Sequence, residues 1–145
     1  MSGTSAAKFS PSDDTTRGMV VTILARLDDV KTAGSNPWYA AGRTWAMTNG
    51  ISDGTNMDGS VTREQLAAIL YRYAVMKGYD VRVSASLSHY SDADKVSDWA
   101  VTATHWAVGA GLINGRSANT LAPQGTAMRA EVAAILLRFV SLYEK

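Results

Sequence analysis

The stretch Val61-Thr62-Arg63-Glu64-Gln65-Leu66-Ala67-Ala68-Ile69-Leu70-Tyr71-Arg72-Tyr73-Ala74 decides the fold. It reads as a helix with a marked start, because Thr62 is a good N-cap and Gln65 three residues later completes a capping box. Leu66, Ile69, Leu70 and Tyr73 then fall on one face at helical spacing, so the helix has a side to bury. Arg63 runs against this economy. A cation in the first turn opposes the positive end of the helix dipole, where Asp or Glu would be the stabilising choice. The same plan recurs in Thr16-Arg17-Gly18-Met19-Val20-Val21-Thr22-Ile23-Leu24-Ala25-Arg26-Leu27 and in Met128-Arg129-Ala130-Glu131-Val132-Ala133-Ala134-Ile135-Leu136-Leu137-Arg138-Phe139. An arginine beside free helix-start N–H groups makes a ready site for an anion.

Working outward, the chain repeats itself. Trp38, Trp45, Ala46, Gly50 and Gly54 recur sixty-one residues later as Trp99, Trp106, Ala107, Gly111 and Gly115. Beyond the glycines the offset is sixty-six, which matches Arg63, Leu66, Ile69, Leu70 and Arg72 to Arg129, Val132, Ile135, Leu136 and Arg138. A five-residue difference in the joining loop accounts for the change. Each unit is therefore a Trp helix, a Gly-rich loop and an Arg-start helix. The first unit is incomplete: it begins at Phe9-Ser10-Pro11, which matches Leu121-Ala122-Pro123, and no Trp helix precedes it. We therefore expect one domain over residues 1–145, divided into a partial repeat (1–30), a second repeat with its connecting loop (31–88) and a third repeat (89–145). The apolar stripe Met19, Ile23 and Leu27 on the first helix is expected to lack a cover, since its own Trp helix is missing.

In the Trp helices, Trp99, Ala103, Trp106, Ala107 and Ala110 share one face, as do Trp38, Gly42, Trp45, Ala46 and Asn49. Asn36 before Pro37 suits one helix start, and Ser97 or Asp98 the other. Gly50 and Gly111 read as C-terminal stops. Residues 76–96 form a long connecting loop, in which Tyr79–Leu87 supplies a short extended piece at most. The class is all-α: three Arg-start helices packed together, with two Trp helices and their loops as outer layers.

Composition narrows the function. With net charge +1 and only 19% charged residues, there is no broad basic surface for nucleic acid. No apolar run is long enough to span a membrane. The first residues, Met-Ser-Gly-Thr-Ser-Ala-Ala-Lys, contain no apolar core of the signal-peptide kind. The absence of cysteine excludes disulfides and thiolate metal sites.

Among candidate site residues, Arg17, Arg63 and Arg129 are placed to bind a carboxylate bidentately, or else to pair internally with Asp13, Asp58 or Glu131. Trp45 and Trp106 are expected in the core, whereas Trp38 and Trp99, close to helix starts, either line a pocket or join the core. The clusters Asp92, Asp94, Asp98 and Asp53, Asn56, Asp58 resemble turn and cap chemistry more than a calcium loop, because Gly54 and Gln65 stand where such a loop needs acidic ligands. His89 and His105 have no nucleophile constellation, and no carboxylate pair is singled out for glycosidic cleavage. We expect no catalytic residue, no metal site and no cofactor.

The order Trp99-Ala100…Gly111-Leu112-Ile113-Asn114-Gly115…Leu121-Ala122-Pro123…Arg129-Ala130-Glu131, echoed by Trp38-Tyr39-Ala40…Gly50-Ile51-Ser52-Asp53-Gly54…Thr62-Arg63-Glu64-Gln65, resembles the S-layer homology family over nearly the whole chain, about two and a half repeats. The resemblance implies a pseudo-threefold helical bundle from an exported bacterial protein. It also implies non-covalent anchoring at the cell surface to anionic secondary cell-wall polysaccharide, often ketal-pyruvylated, with the motif arginine meeting the acidic sugar. Carried onto this chain, that names Arg17, Arg63, Arg129, Trp38 and Trp99. It adds Asp29 and Asp92 as the counterparts of the family's Phe-x-Asp, here Leu27-Asp28-Asp29 and Tyr90-Ser91-Asp92. This chain departs from the pattern at Met19 and Gln65, where the motif has glutamate, and at Met128, where it has threonine. The other reading is a structural interaction module whose incomplete repeat is covered by another polypeptide or a second copy.

Overall fold

A computed structural model describes residues 14–117 and 119–143. The sequence segment Phe9-Ser10-Pro11 and Asp13 lie outside those residues. The described chain is all-α: α1 (Arg17–Leu27), α2 (Ala40–Thr48), α3 (Arg63–Met76), α4 (Val101–Gly109) and α5 (Arg129–Tyr143), with 3₁₀ turns at Ala93–Lys95 and Asp98–Ala100. The stretch Tyr79–Leu87 contains no strand. It is laid over α4 by Ala85, whose N–H donates to His105 O at 3.1 Å while its carbonyl meets His105 Nδ1 at 2.7 Å.

The three Arg-start helices are α1, α3 and α5, and the residues just before them meet on a pseudo-threefold axis. Thr15 N–H donates to Ala127 O (3.0 Å), Ala127 N–H to Val61 O (2.9 Å) and Val61 N–H to Thr15 O (2.8 Å), which closes a ring. All three residues are fully buried. One position earlier in each unit, the Asp14 carboxylate accepts from Ser60 Oγ and Thr126 Oγ1, both at 3.1 Å. Thr126 thus spends its hydroxyl on this tie.

The helix starts are closed by the protein itself. Thr16 and Thr62 accept from Met19 N–H and Gln65 N–H, and Gln65 completes the expected capping box by accepting from Thr62 N–H at 2.9 Å. The N–H groups of Arg17 and Gly18 donate to Gly59 O (3.0 Å) and Met57 O (2.8 Å). Those of Arg63 and Glu64 donate to Gly125 O and Pro123 O, both at 2.9 Å. The expectation of free helix-start N–H groups is therefore corrected at α1 and α3: the loop of the next unit occupies them, because a buried helix end must satisfy its orphan donors.

Trp45 (8% exposed) and Trp106 (1%) are core residues. At the end of the bundle away from the ring, Trp45, Tyr73, Phe139, Tyr79 and Tyr143 form a chain of ring contacts, with Tyr79 stacked on Tyr143 at 4.9 Å. The Trp helices pack on the Arg-start helices that precede them in sequence. On α1, α2 comes so close that a Cβ on Gly42 would lie 2.8 Å from Thr22 Oγ1, and Trp45 Nε1–H donates to Asp28 Oδ2 at 3.0 Å. On α3, α4 sets Trp106 edge-on to Tyr71 at 5.5 Å. Ser97 anchors the approach to α4 by donating its N–H and hydroxyl to the Glu64 carboxylate at 2.9 and 2.7 Å.

This pairing overturns the expectation that the Met19, Ile23 and Leu27 stripe of the first helix would lie open. Ile23 and Leu27 are half-buried against the core. Among the described residues the most exposed large apolar side chain is on α5 instead: Leu137 is 68% exposed, with Leu142 at 42% and Met128, just before the helix, at 40%. The cap expectations also change. α2 starts at Ala40 and α4 at Val101, after the Asn36-Pro37 and Ser97-Asp98 positions, and neither carries a side-chain cap.

Candidate functional site

Between α1 and α3 lies a cavity of about 680 Å³ whose lining includes Arg17, Asp53, Gln65, Arg72 and Trp99. Each comes from a different local device. Arg17 opens α1, Gln65 is held by its capping box, and Arg72 reaches over the Gly50–Gly54 loop to donate to Ile51 O at 3.3 Å. Asp53 closes that loop by accepting from Thr55 N–H (3.0 Å) and Thr55 Oγ1 (2.7 Å). These bonds, with the charges of Arg17 and Arg72, hold its carboxyl below the usual range. Trp99 is 54% exposed, so its indole faces solvent at the rim. Among the described residues the Arg17 guanidinium makes no hydrogen bond or ion pair. The groove therefore offers cationic donors beside an apolar ring, a combination suited to an acidic, ring-shaped ligand.

The equivalent groove between α3 and α5, about 380 Å³, has Arg63, Asn114, Arg116, Glu131 and Arg138 in its lining. Here the arginine is consumed. Arg63 is 4% exposed. It donates Nε–H to Leu121 O at 3.0 Å and Nη2–H to Asn114 O, and its Nη1 meets the Glu131 carboxylate. Arg116 reaches the other Glu131 oxygen at 3.3 Å and also donates to Thr126 O. Burial, together with the charge of Arg116, pushes the Arg63 guanidinium down to about 10, against the pull of Tyr90 and Asp92. It stays cationic at neutral pH. Of the two sequence readings, the internal ion pair to Glu131 describes Arg63.

The remaining sequence candidates scatter. Arg129 is 7% exposed, with Nη2 3.6 Å from Met19 Sδ, and lines neither groove just described. Trp38 is 49% exposed and sits edge-on to Tyr39 at 5.3 Å beside Gly18, also outside both grooves. Asp92 is a structural residue: its carboxylate accepts from Leu121 N–H and Ala122 N–H, both at 2.8 Å, and so fixes the loop that covers Arg63. Asp29 is exposed at φ 61°, just past the end of α1, and lines neither groove. Its neighbour Asp28 does the structural work, accepting from Trp45 and Lys77.

Sequence reasoning missed Arg72, Arg138, Arg116 and Asp53 as groove residues. The signal for two of them existed, since Arg72 and Arg138 stand nine residues after Arg63 and Arg129. Nine residues is half a turn out of phase, so the two arginines of one helix face opposite ways. They meet only across helices, Arg17 with Arg72 and Arg63 with Arg138.

A helical bundle that presents arginine-lined grooves and an exposed indole is built as a binding module. Its class follows from comparison. Residues 89–133 match the S-layer homology domain family, and the chain carries an S-layer homology domain there. The chain is also 32% identical over 148 residues to exoglucanase XynX of Acetivibrio thermocellus, a match that spans 92% of this chain and 14% of that protein. To amylopullulanase of Thermoanaerobacterium thermosulfurigenes it is 30% identical over 147 residues, spanning 92% of this chain and 8% of that protein. The chain thus spans only a small part of either curated relative. The S-layer homology domain is a non-catalytic module that anchors proteins to the cell wall. Among the described residues no helix is long and apolar enough to cross a membrane, and no group of His, Cys, Asp or Glu is arranged to hold a metal.

Proposed function

We propose that this module holds a larger exported protein on the bacterial cell surface by binding acidic, ketal-pyruvylated wall polysaccharide in the groove between α1 and α3. The observation that carries the reading is the about 680 Å³ cavity in which Arg17 and Arg72 stand beside Trp99. Arg17 pairs with the sugar carboxylate, Trp99 packs against the sugar ring, and Arg72 adds positive potential from the opposite helix. No bond is made or broken. Both relatives are, by name, polysaccharide-degrading enzymes, so the protein carried here is proposed to be a hydrolase of that general kind. A pull-down with purified wall polysaccharide, before and after chemical removal of its acidic substituents, tests the reading. Retention that survives removal of the acidic groups would exclude arginine–carboxylate recognition.

A second reading has its own observation. The outer face of α5 carries Ala130, Ala133, Leu137 and Val140 at helical spacing, and Leu137 is 68% exposed. The corresponding face of α3 (Glu64, Ala67, Tyr71 and Ala74) lies under α4 and its approach. We propose that a Trp helix from another polypeptide, or from a second copy, covers α5. Size-exclusion chromatography over a concentration series checks for the second copy.

A further inference from the structure

The two grooves are built on one plan and differ at three charged positions, Asp53/Asn114, Thr55/Arg116 and Gln65/Glu131, of which the last decides the pairing of the motif arginine. Arg17, Gln65, Ala68, Ile69 and Arg72 in the first match Arg63, Glu131, Ala134, Ile135 and Arg138 in the second. In the second groove the side chain at the matching position is a carboxylate, and it bridges Arg63 and Arg116. In the first it is a neutral amide whose oxygen is committed to Thr62 N–H at 2.9 Å. Arg17 is thereby left without the internal anion that Arg63 has.

We infer that position 65/131 decides which groove accepts an acidic sugar: Glu131 is a built-in carboxylate that occupies the second arginine cluster, and Gln65 leaves the first one open. This rests on the reading that the grooves bind acidic glycan, and it adds a selection between them. Glu131 shows what the cluster takes, because a carboxylate flanked by two guanidinium groups is what a pyruvyl ketal or a uronate would supply from outside. A ligand entering the second groove must displace Glu131 from a largely buried arginine and then sit beside the displaced negative charge, and like charges in juxtaposition are costly. In the first groove no ion pair with Arg17 has to be broken. Asp53 keeps its charge on the Gly50–Gly54 loop, where it is tied to Thr55 and balanced by Arg17 and Arg72.

The test is a heteronuclear NMR titration of the full chain with a 4,6-ketal-pyruvylated methyl hexopyranoside, with its methyl ester as the uncharged control. Amide shifts at residues 51–53 and the Trp99 indole report the first groove, and amides at 112–116 report the second. In the parent protein the acid should move only the first set. Gln65→Glu should weaken binding there at least about tenfold, since it adds a like charge beside the bound carboxylate. This variant retains a capping box and improves the dipole match, so it keeps the fold. Glu131→Gln should bring the second set into the titration. If Glu131→Gln does not fold, Gln65→Glu decides alone. Unchanged affinity in Gln65→Glu, or saturation of both grooves in the parent, overturns the selection while leaving glycan binding intact. A parent that binds neither acid nor ester overturns the glycan reading itself, and the selection with it.

Discussion

The Arg63 guanidinium meets the Glu131 carboxylate across the groove between α3 and α5, whereas Arg17, its equivalent in the first groove, lines a cavity in which the matching position is the neutral Gln65. The same motif arginine is thus a structural residue in one unit and a binding candidate in another. The effects of removing each should differ in kind.

Arg17→Ala is expected to weaken binding of acidic wall glycan by roughly 2–4 kcal/mol, the scale for losing one partner of a desolvated charge pair. Folding should change little, because a helix-start arginine opposes the dipole. Isothermal titration beside a thermal melt separates the two quantities. Undiminished affinity would remove Arg17 from the site.

Arg63→Ala should do the reverse. It leaves Arg116 as the one recorded ion-pair partner of a largely buried carboxylate and leaves the carbonyls of Leu121 and Asn114 without the Arg63 donors, at a cost of about 3–5 kcal/mol. Urea unfolding followed by circular dichroism reads this directly. A variant as stable as the parent would show that Glu131 relaxes into solvent.

Three of the tryptophans should split by burial. Trp45→Ala and Trp106→Ala empty core sites and should destabilise by about 3–5 kcal/mol. Trp99→Ala removes a ring that is 54% exposed, so the melting temperature should hold while glycan affinity falls. Equal losses of stability at all three positions would assign Trp99 to the core.

Asp92→Asn probes the loop clamp. Two backbone N–H bonds, from Leu121 and then Ala122, hold the Asp92 carboxyl below its ordinary value of 3.8. A carboxyl with a lowered folded-state value contributes stability that is fully present above the unfolded value and is lost as pH falls through the folded one. The variant should be less stable than the parent by roughly 1–2 kcal/mol at neutral pH. The gap should close in the acid range below about pH 4. A gap independent of pH would place the effect elsewhere than on this carboxylate.

Leu137→Asp addresses the exposed side of α5. The monomer should fold as before, since the side chain is 68% exposed, and any concentration-dependent self-association should disappear. A large loss of monomer stability would mean that the face is already covered within the chain.

Helix identity and the starts of α1 and α3 were legible because they rest on local rules. Thr62 and Gln65 are three residues apart and form the capping box that their spacing implies, and Trp45 and Trp106 lie on the inner faces that the period places them on. The fate of the motif arginines was less legible. Arg63 needs Leu121, Asn114 and Glu131, which stand more than fifty residues further along. The helix-start N–H groups were read as open because their partners, Met57 and Gly59 for α1 and Pro123 and Gly125 for α3, are loop carbonyls with no side-chain signature.

The sequence by itself determined that this is an all-α chain of repeated Trp and Arg-start helices, because periodicity, caps and a fixed offset are properties of neighbouring residues. Only the tertiary structure decided that α2 covers α1, that Leu137 on α5 stays open, and that Arg17 shares a groove with Arg72 while Arg63 is neutralised by Glu131. Each of these depends on which surfaces meet around the Thr15, Val61 and Ala127 ring. Two arginines half a turn apart on one helix meet nothing of each other, and it is the threefold packing that brings each to a partner on the next helix.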